Sequence, residues 1–227
     1  TSILVSQILE SEYMGAIAVA AYSYMALVPL IQPLIIKIFT TKKERAITMI
    51  PSKKKVPKPI RILFPIVVTF LAGLLAPMSI SLVGFLMFGN LIKESEVLEK
   101  LSDTARDTLT NLITLLLGIT ISFSMRAEVF VKKETLLVMV IGLVAFVFDT
   151  IGGVLLAKFI NLFLKQKINP MIGAAGISAF PMAARVVQKM ANEENSGNII
   201  LMQAVGANVA GQVASAIVGG VLLGIFR

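Results

Sequence analysis

Residues 169–186, "NPMIGAAGISAFPMAARV", decide how this chain is read. They carry an amide (Asn169), a hydroxyl (Ser178) and a guanidinium (Arg185) on a frame with two prolines and five alanines. A segment that merely filled a bilayer would be rich in Leu, Ile and Val. Asn-Pro is a helix start: Asn169 can cap, and Pro170 at the first helical position loses no hydrogen bond. "GAAG" (173–176) and Pro181 then oppose a continuous helix. At 100° per residue Asn169 and Ser178 fall on opposite faces of a regular helix, whereas Ser178 and Arg185 share one. For all three to line one site, the helix must break between 173 and 178.

Working outward, the flanks are membrane-like. Of 227 residues 56% are apolar and 15% charged, and the mean hydropathy is +0.87. A soluble domain of this size has no use for so much apolar surface. Several runs reach the roughly 18–20 residues that span a bilayer, and the alternating ten-residue pattern of an outer-membrane barrel is missing. The expected class is all-α: a polytopic membrane protein of about six transmembrane helices, some broken. The expected membrane segments are 14–36, 62–92, 108–125, 135–164, 169–190 and 198–226. Pro29 and Pro33 predict a kinked or frayed end for the first, and "APMS" (76–79) interrupts the second.

Charge gives the expected sides. Residues 37–61 hold nine Lys/Arg against Glu44, a net +8, and the rest of the chain balances at twelve of each sign. With Pro51, Pro57 and Pro59 this reads as an extended connector, cytoplasmic by the positive-inside rule. The same charge also suits an acidic soluble partner or anionic lipid. Nucleic acid is not expected, for no aromatic residue in the loop could stack on bases. The 126–134 loop, with Arg126, Lys132 and Lys133, then falls on the cytoplasmic side as well. The amphipathic segment 93–107, with five acids and three bases, falls outside, and Lys165 and Lys167 outside too, against the rule. Residues 169–190 either cross or re-enter.

The chain has no Cys and no His. Disulfides, thiolate chemistry, the usual zinc ligands and a histidine proton relay are excluded. No cleavable signal pattern opens the chain, and it begins without Met, so a fragment is expected. A helix broken at membrane depth frees carbonyls and amides and presents half-helix ends to ions. Sodium takes oxygen ligands, as other hard cations do. Carbonyls near Gly173 with the oxygens of Asn169 and Ser178 form a plausible set, and Arg185 suits a carboxylate. The bland alternatives are close packing of small residues, a serine bonded to its own backbone, and an arginine that snorkels to the interface. Ala207, Gly211, Ser215 and Gly219 recur every four residues as such a packing seam, with Asn208 and Gln212 beside it. Asp149 lies mid-run in "FVFDTIGGV", where a charge is expensive.

The stretch 169–186, followed by "EENSGNIILMQAVGANVAG" (193–211), closely resembles the β subunit of sodium-pumping biotin-dependent decarboxylases, which serve oxaloacetate, methylmalonyl-CoA, glutaconyl-CoA or malonate. "IAVAAYSYMALVPLIQP" (17–33), "FTTKKERAI" (39–47), "ILFPIVVTFLAGLLAP" (62–77) and "FLMFGNLIKES" (85–95) resemble it too. The likeness covers essentially the whole chain but only the C-terminal half of a family member, one half of an inverted-repeat, transporter-like fold. The family's membrane aspartate, in an Asp-Gly-Pro run, is expected just before Thr1. The resemblance implies a multi-pass bacterial inner-membrane subunit that decarboxylates carboxybiotin, consuming a proton, and moves sodium outward. The implied partners are a soluble α subunit bearing carboxyltransferase and biotin carrier, a small membrane γ/δ subunit, membrane lipid and further copies of the chain. The implied site is Asn169, Gly173 and Ser178 for sodium, Arg185 for the cofactor, and Tyr24, Ser178 and Arg185 for the reaction. Tyr22 and Tyr24 face nearly opposite ways on a helix, and the family position matches Tyr24.

Two rivals stand beside this reading. A secondary sodium/proton antiporter or sodium-coupled transporter also uses broken helices, and its transport would not respond to avidin. A purely structural subunit would keep its turnover with Ser178→Ala and Arg185→Ala.

Overall fold

The computed structural model describes residues 1–49, 56–124 and 131–226. Pro51, Lys53–Lys55 and Arg126, which entered the charge reading, lie outside them. All regular structure among the described residues is helical. The helices are α1 (Ser2–Ile8), α2 (Met14–Phe39), α3 (Lys42–Arg45), α4 (Lys58–Leu75), α5 (Ile80–Ser95), α6 (Glu99–Asp103), α7 (Thr110–Ser124), α8 (Lys133–Asn161), α9 (Met171–Ala174), α10 (Met182–Glu194) and α11 (Leu201–Phe226). Four of them, α2, α4, α8 and α11, are long and apolar enough to cross a membrane. The chain is thus all-helical with membrane-length helices, as the apolar runs predict.

Two compact units result. The first comprises Thr1–Val19, Ser52–Leu136 and Ser215–Arg227. Its centre is a hairpin of α4 and α5, turned by a 3-10 turn at Pro77–Ser79. Pro77 stops α4 because it has no N–H to continue the ladder. At the open end Lys58 pairs with Glu96 (3.0 Å), and Arg61 with Glu94 (2.7 Å) and Glu96 (3.0 Å). The expected membrane segment 62–92 is thus two helices, α4 and α5, parted at the interruption that the sequence marks. "APMS" reverses the chain, and Glu94 and Glu96 return to the end occupied by Arg61.

The second unit comprises Ala20–Pro51 and Leu137–Ala214. Its core gathers Val28 and Ile36 of α2, Val154 of α8, Met171, Ala174 and Ala175 around α9, Ala183, Ala184 and Val187 of α10, and Ile200 and Ala204 beside and within α11. Helix α2 runs through Pro29 and Pro33 to Phe39 rather than fraying near them. Its last turn is held by Thr40 Oγ1, which donates to Ile36 O (2.5 Å). Nor is the basic connector extended throughout. Thr41 and Glu44 form a reciprocal capping box that starts α3, a Thr-x-x-Glu signature that satisfies orphan donors locally.

Candidate functional site: a broken segment held by its backbone

The α3 turn is fastened before the site begins. Arg45, 5% exposed, donates from Nη1 to Thr40 O (2.6 Å) and pairs through Nε with Glu194 Oε1 (2.6 Å) at the end of α10. Lys158 of α8 donates to Phe39 O (3.1 Å) and pairs with Glu44 (3.0 Å). Partial burial alone would raise the Glu44 carboxyl; bonds from Thr41 and Lys158 outweigh it and hold the group below its usual range. Asn161 closes the next loop by donating to Ile168 O and accepting from Ile168 N–H, both at 2.8 Å. Lys165 and Lys167 therefore lie in a tight return between the end of α8 and the start of the quoted stretch.

Asn169 opens that stretch, fully buried. Its Oδ1 accepts from Met171 N–H (3.1 Å), and its Nδ2 donates to Arg45 O (2.8 Å) and Ile47 O (3.0 Å). The helix begins one residue later than expected, with Pro170 as its N-cap; the Asn169 amide receives the first helical N–H and also ties α9 to the α3 turn. After Ala174 the regular helix stops, and it resumes only at Met182. The break between an amide and a hydroxyl falls where the glycines predict it.

Several groups near the break meet named neighbours. A Cβ on Gly173 would strike Gly153 O of α8, and one on Gly153 would strike Gly173 O, so two backbones touch there. Gly211 of α11 is pressed in the same way against Gly176 O. Between these contacts Gln32 Nε2 of α2 donates to Ala174 O (2.7 Å), and Asn208 Nδ2 of α11 donates to Ile177 O (2.5 Å). Both carboxamides are 0% exposed. Their oxygens, Gln32 Oε1 and Asn208 Oδ1, are buried without a hydrogen-bond partner among the described residues.

The predicted site residues are distributed unevenly. Asn169 and Gly173 are spent on holding the segment. Ser178, at the break, is exposed. Arg185 is exposed on α10, whose buried face is Ala183, Ala184, Val186, Val187, Met190 and Ala191. The polar face of α10 lines a cavity of about 470 Å³ with Arg185, Gln188, Lys189, Asn192 and Glu193. Gln188 also ties α10 to the start of α11, donating to Asn198 O (2.9 Å) and accepting from Ile200 N–H (2.8 Å). Tyr24 is half-buried and Tyr22 41% exposed, the opposed facing their spacing predicts. Tyr24 packs on α8, where its hydroxyl donates to Met139 O and its ring fills the space above Gly142. Asp149 is exposed on α8, one turn before Gly153. Gln32 was missed in the sequence and Asn208 left ambiguous. The available signal was an isolated amide in an apolar run, which membrane burial makes expensive unless it is used.

Comparison with known proteins decides the family. The model of the "Na+-transporting oxaloacetate decarboxylase beta subunit" matches residues 1–226. The chain belongs to this family. It is 50% identical over 98% of its length to the oxaloacetate decarboxylase beta chain of Klebsiella pneumoniae, covering 51% of that protein. It is 50% identical over its full length to the methylmalonyl-CoA decarboxylase subunit beta of Propionigenium modestum, covering 57% of it. A methylmalonyl-CoA decarboxylase subunit beta of Veillonella parvula is 48% identical, with 60% covered. The chain spans about half the length of these β subunits.

Proposed function

We propose that the protein carrying this chain is the membrane subunit of a sodium pump. In this reading it accepts carboxybiotin from a soluble partner, releases CO2, and moves sodium outward across a bacterial inner membrane. The observation that carries it is the route along α10. Glu194 is bonded to the α3 turn, and Arg185 lies nine residues, about 13 Å at helical rise, from that end. A surface cavity lined by Arg185, Gln188, Lys189, Asn192, Glu193 and Leu201 lies along this stretch. An arginine that only snorkelled would not need such a lining, whereas one that receives a carboxylate must be reachable from water.

The residues fit the cofactor's chemistry. Carboxybiotin supplies a carboxyl group whose bond to the ureido nitrogen breaks, leaving the electron pair on nitrogen, which then takes a proton. Arg185 can grip the carboxylate through two parallel N–H bonds, a geometry lysine lacks. Lys189 adds a second cation on the same face. With no histidine in the chain, Tyr24 is the proposed proton donor, its Oη held in place by Met139 O. Ser178 and the carbonyls at the break, positioned by Asn169 and Gly173, are the proposed oxygens for sodium. No group of three or more Asp, Glu, Cys or His is gathered among the described residues, so neutral oxygens are the ligands on offer here. Each sodium ion moved outward costs about 2.3 kcal/mol per 100 mV, besides its concentration term.

The test is reconstitution of the full-length subunit with its soluble partner in sealed vesicles. Sodium movement should stop when avidin captures the biotin. Arg185→Ala should lower turnover at least a hundredfold, and Arg185→Lys should recover only part. Ser178→Ala should raise the sodium concentration for half-maximal rate. Transport that continues under avidin would replace this reading with a sodium/proton antiporter. Unchanged turnover in assembled Ser178→Ala and Arg185→Ala complexes would leave a structural subunit.

A further inference from the structure

We propose that Gln32 is itself a ligand of the transported cation; this rests on the sodium-transport reading above. The first observation is burial. Gln32 is 0% exposed, within an apolar helix. A buried carboxamide is tolerated when both its ends are used. One end is: Nε2 donates to Ala174 O (2.7 Å) at the break. That bond also settles which way round the amide stands, because a carbonyl can accept only from the NH2 group. Oε1 is therefore turned away from Ala174 O, and it is buried with no partner among the described residues.

The second observation is the lack of donors around it. Gln32 lies in "PLIQP", residues 29–33. Pro33 has no N–H, so the helix offers none to Pro29 O, one turn earlier. Across the break, Asn208 repeats the arrangement: Nδ2 on Ile177 O, Oδ1 buried and unpartnered. Gln32 and Asn208 thus each leave a buried acceptor unmet beside the broken segment. An unmet buried acceptor is costly, and a hard monovalent cation meets several at once, since it binds neutral oxygens without competing for donors. Gln32 stands seven residues, about 10 Å at helical rise, from the Phe39 end of α2. That lies between the charged turn and the interior, where a transported ion must shed water.

A ligand and a brace respond differently to substitution. Gln32→Met keeps the length and removes both functions. Gln32→Glu keeps the acceptor and removes the donor to Ala174 O. The measurement is thermal unfolding of the full-length subunit at constant ionic strength, with sodium chloride replaced stepwise by choline chloride, which gives a half-saturating sodium concentration without any turnover. Gln32→Met should raise that concentration at least tenfold, and Gln32→Glu should leave it at or below the wild-type value. If Gln32 only braces the backbone, or if a trapped water satisfies Oε1, Gln32→Met will keep the wild-type value. Should Gln32→Met fail to fold, Gln32→Glu decides alone: a protein destabilised in choline and not restored by sodium overturns the assignment. If sodium stabilises wild type and both variants alike, only the Gln32 assignment fails. If sodium does not stabilise even the wild type, the pumping reading fails with it.

Discussion

Asn169 shows how one side chain can set the position of a whole segment. Its three hydrogen bonds start α9 and hold two carbonyls of the α3 turn. The Ala substitution withdraws donors from Arg45 O and Ile47 O inside a buried site, where each unmet group costs roughly 1–3 kcal/mol. Ile47 O retains a second donor, Asn198 Nδ2 (3.1 Å), which limits the loss. Asn169→Ala should therefore destabilise the full-length subunit by about 2 kcal/mol, read as a lower unfolding temperature in detergent. Asn169→Asp should be no better, because a carboxylate facing two carbonyls repels where the amide donated. A wild-type unfolding temperature for Asn169→Asp would show that these carbonyls do not hold the segment. Gln32 and Asn208 act by the same chemistry, donating an amide to a carbonyl that a regular helix would have satisfied itself.

At the scale of elements, the break is kept open by contact between backbones, and glycine is the residue that allows it. At Gly173 and Gly211 an added methyl group would meet a carbonyl oxygen of another element, Gly153 O and Gly176 O respectively. Side-chain rotation cannot relieve such a clash; an element must move. Gly173→Ala and Gly211→Ala should each destabilise by about 3 kcal/mol, in the range of overpacked cores, or block assembly. Gly206→Ala, on α11 with nothing within 4 Å, should instead stabilise by up to about 1 kcal/mol through helix propensity. Comparing the unfolding temperatures of the three variants is the check, and equal effects would refute the contact account. These elements also show what could be read beforehand. The break was legible because glycine and proline act locally on the backbone. The route along α10 was half legible: Arg185 stood out as a charge, but the cavity beside it depends on how α10 meets the start of α11. Gln32 was not legible, because its role depends on Ala174, 142 residues away, and no local pattern carries that. The α4–α5 hairpin was half legible for a related reason, since "APMS" marks an interruption without its direction. Hydropathy records that a stretch is apolar and not that Pro77 turns it back, whereas the pairs from Arg61 to Glu94 and Glu96 do.

At the scale of the molecule, these internal bonds bear on which segments share a side of the membrane. Within one unit, Lys58 and Glu96 are paired at the open end of the α4–α5 hairpin. Within the other, the α3 turn holds the end of α8 through Lys158, the start of α9 through Asn169 and the end of α10 through Arg45. Residues 169–194 thus leave and return to one end of their unit. We propose that they re-enter the membrane instead of crossing it, and that α4 and α5 enter and leave it from one side as a hairpin. If the basic 37–61 segment is cytoplasmic, Lys165 and Lys167 become cytoplasmic too, which removes their conflict with the positive-inside rule. The chain has no cysteine, so within it single cysteines report sides without background once any cysteine elsewhere in the full-length protein is replaced. Val56→Cys and Val97→Cys test the hairpin at positions 55% and 81% exposed; Lys42→Cys and Lys165→Cys test the return after α8. In sealed vesicles of full-length protein all four should react with a membrane-impermeant maleimide from the cytoplasmic side alone. A single crossing over 62–92 would place Val97 opposite Val56, and an outward end for α8 would place Lys165 opposite Lys42. The first result would overturn the hairpin; the second would break the link between the α3 turn and the broken segment, and with it the proposed route by which a carboxylate reaches Arg185.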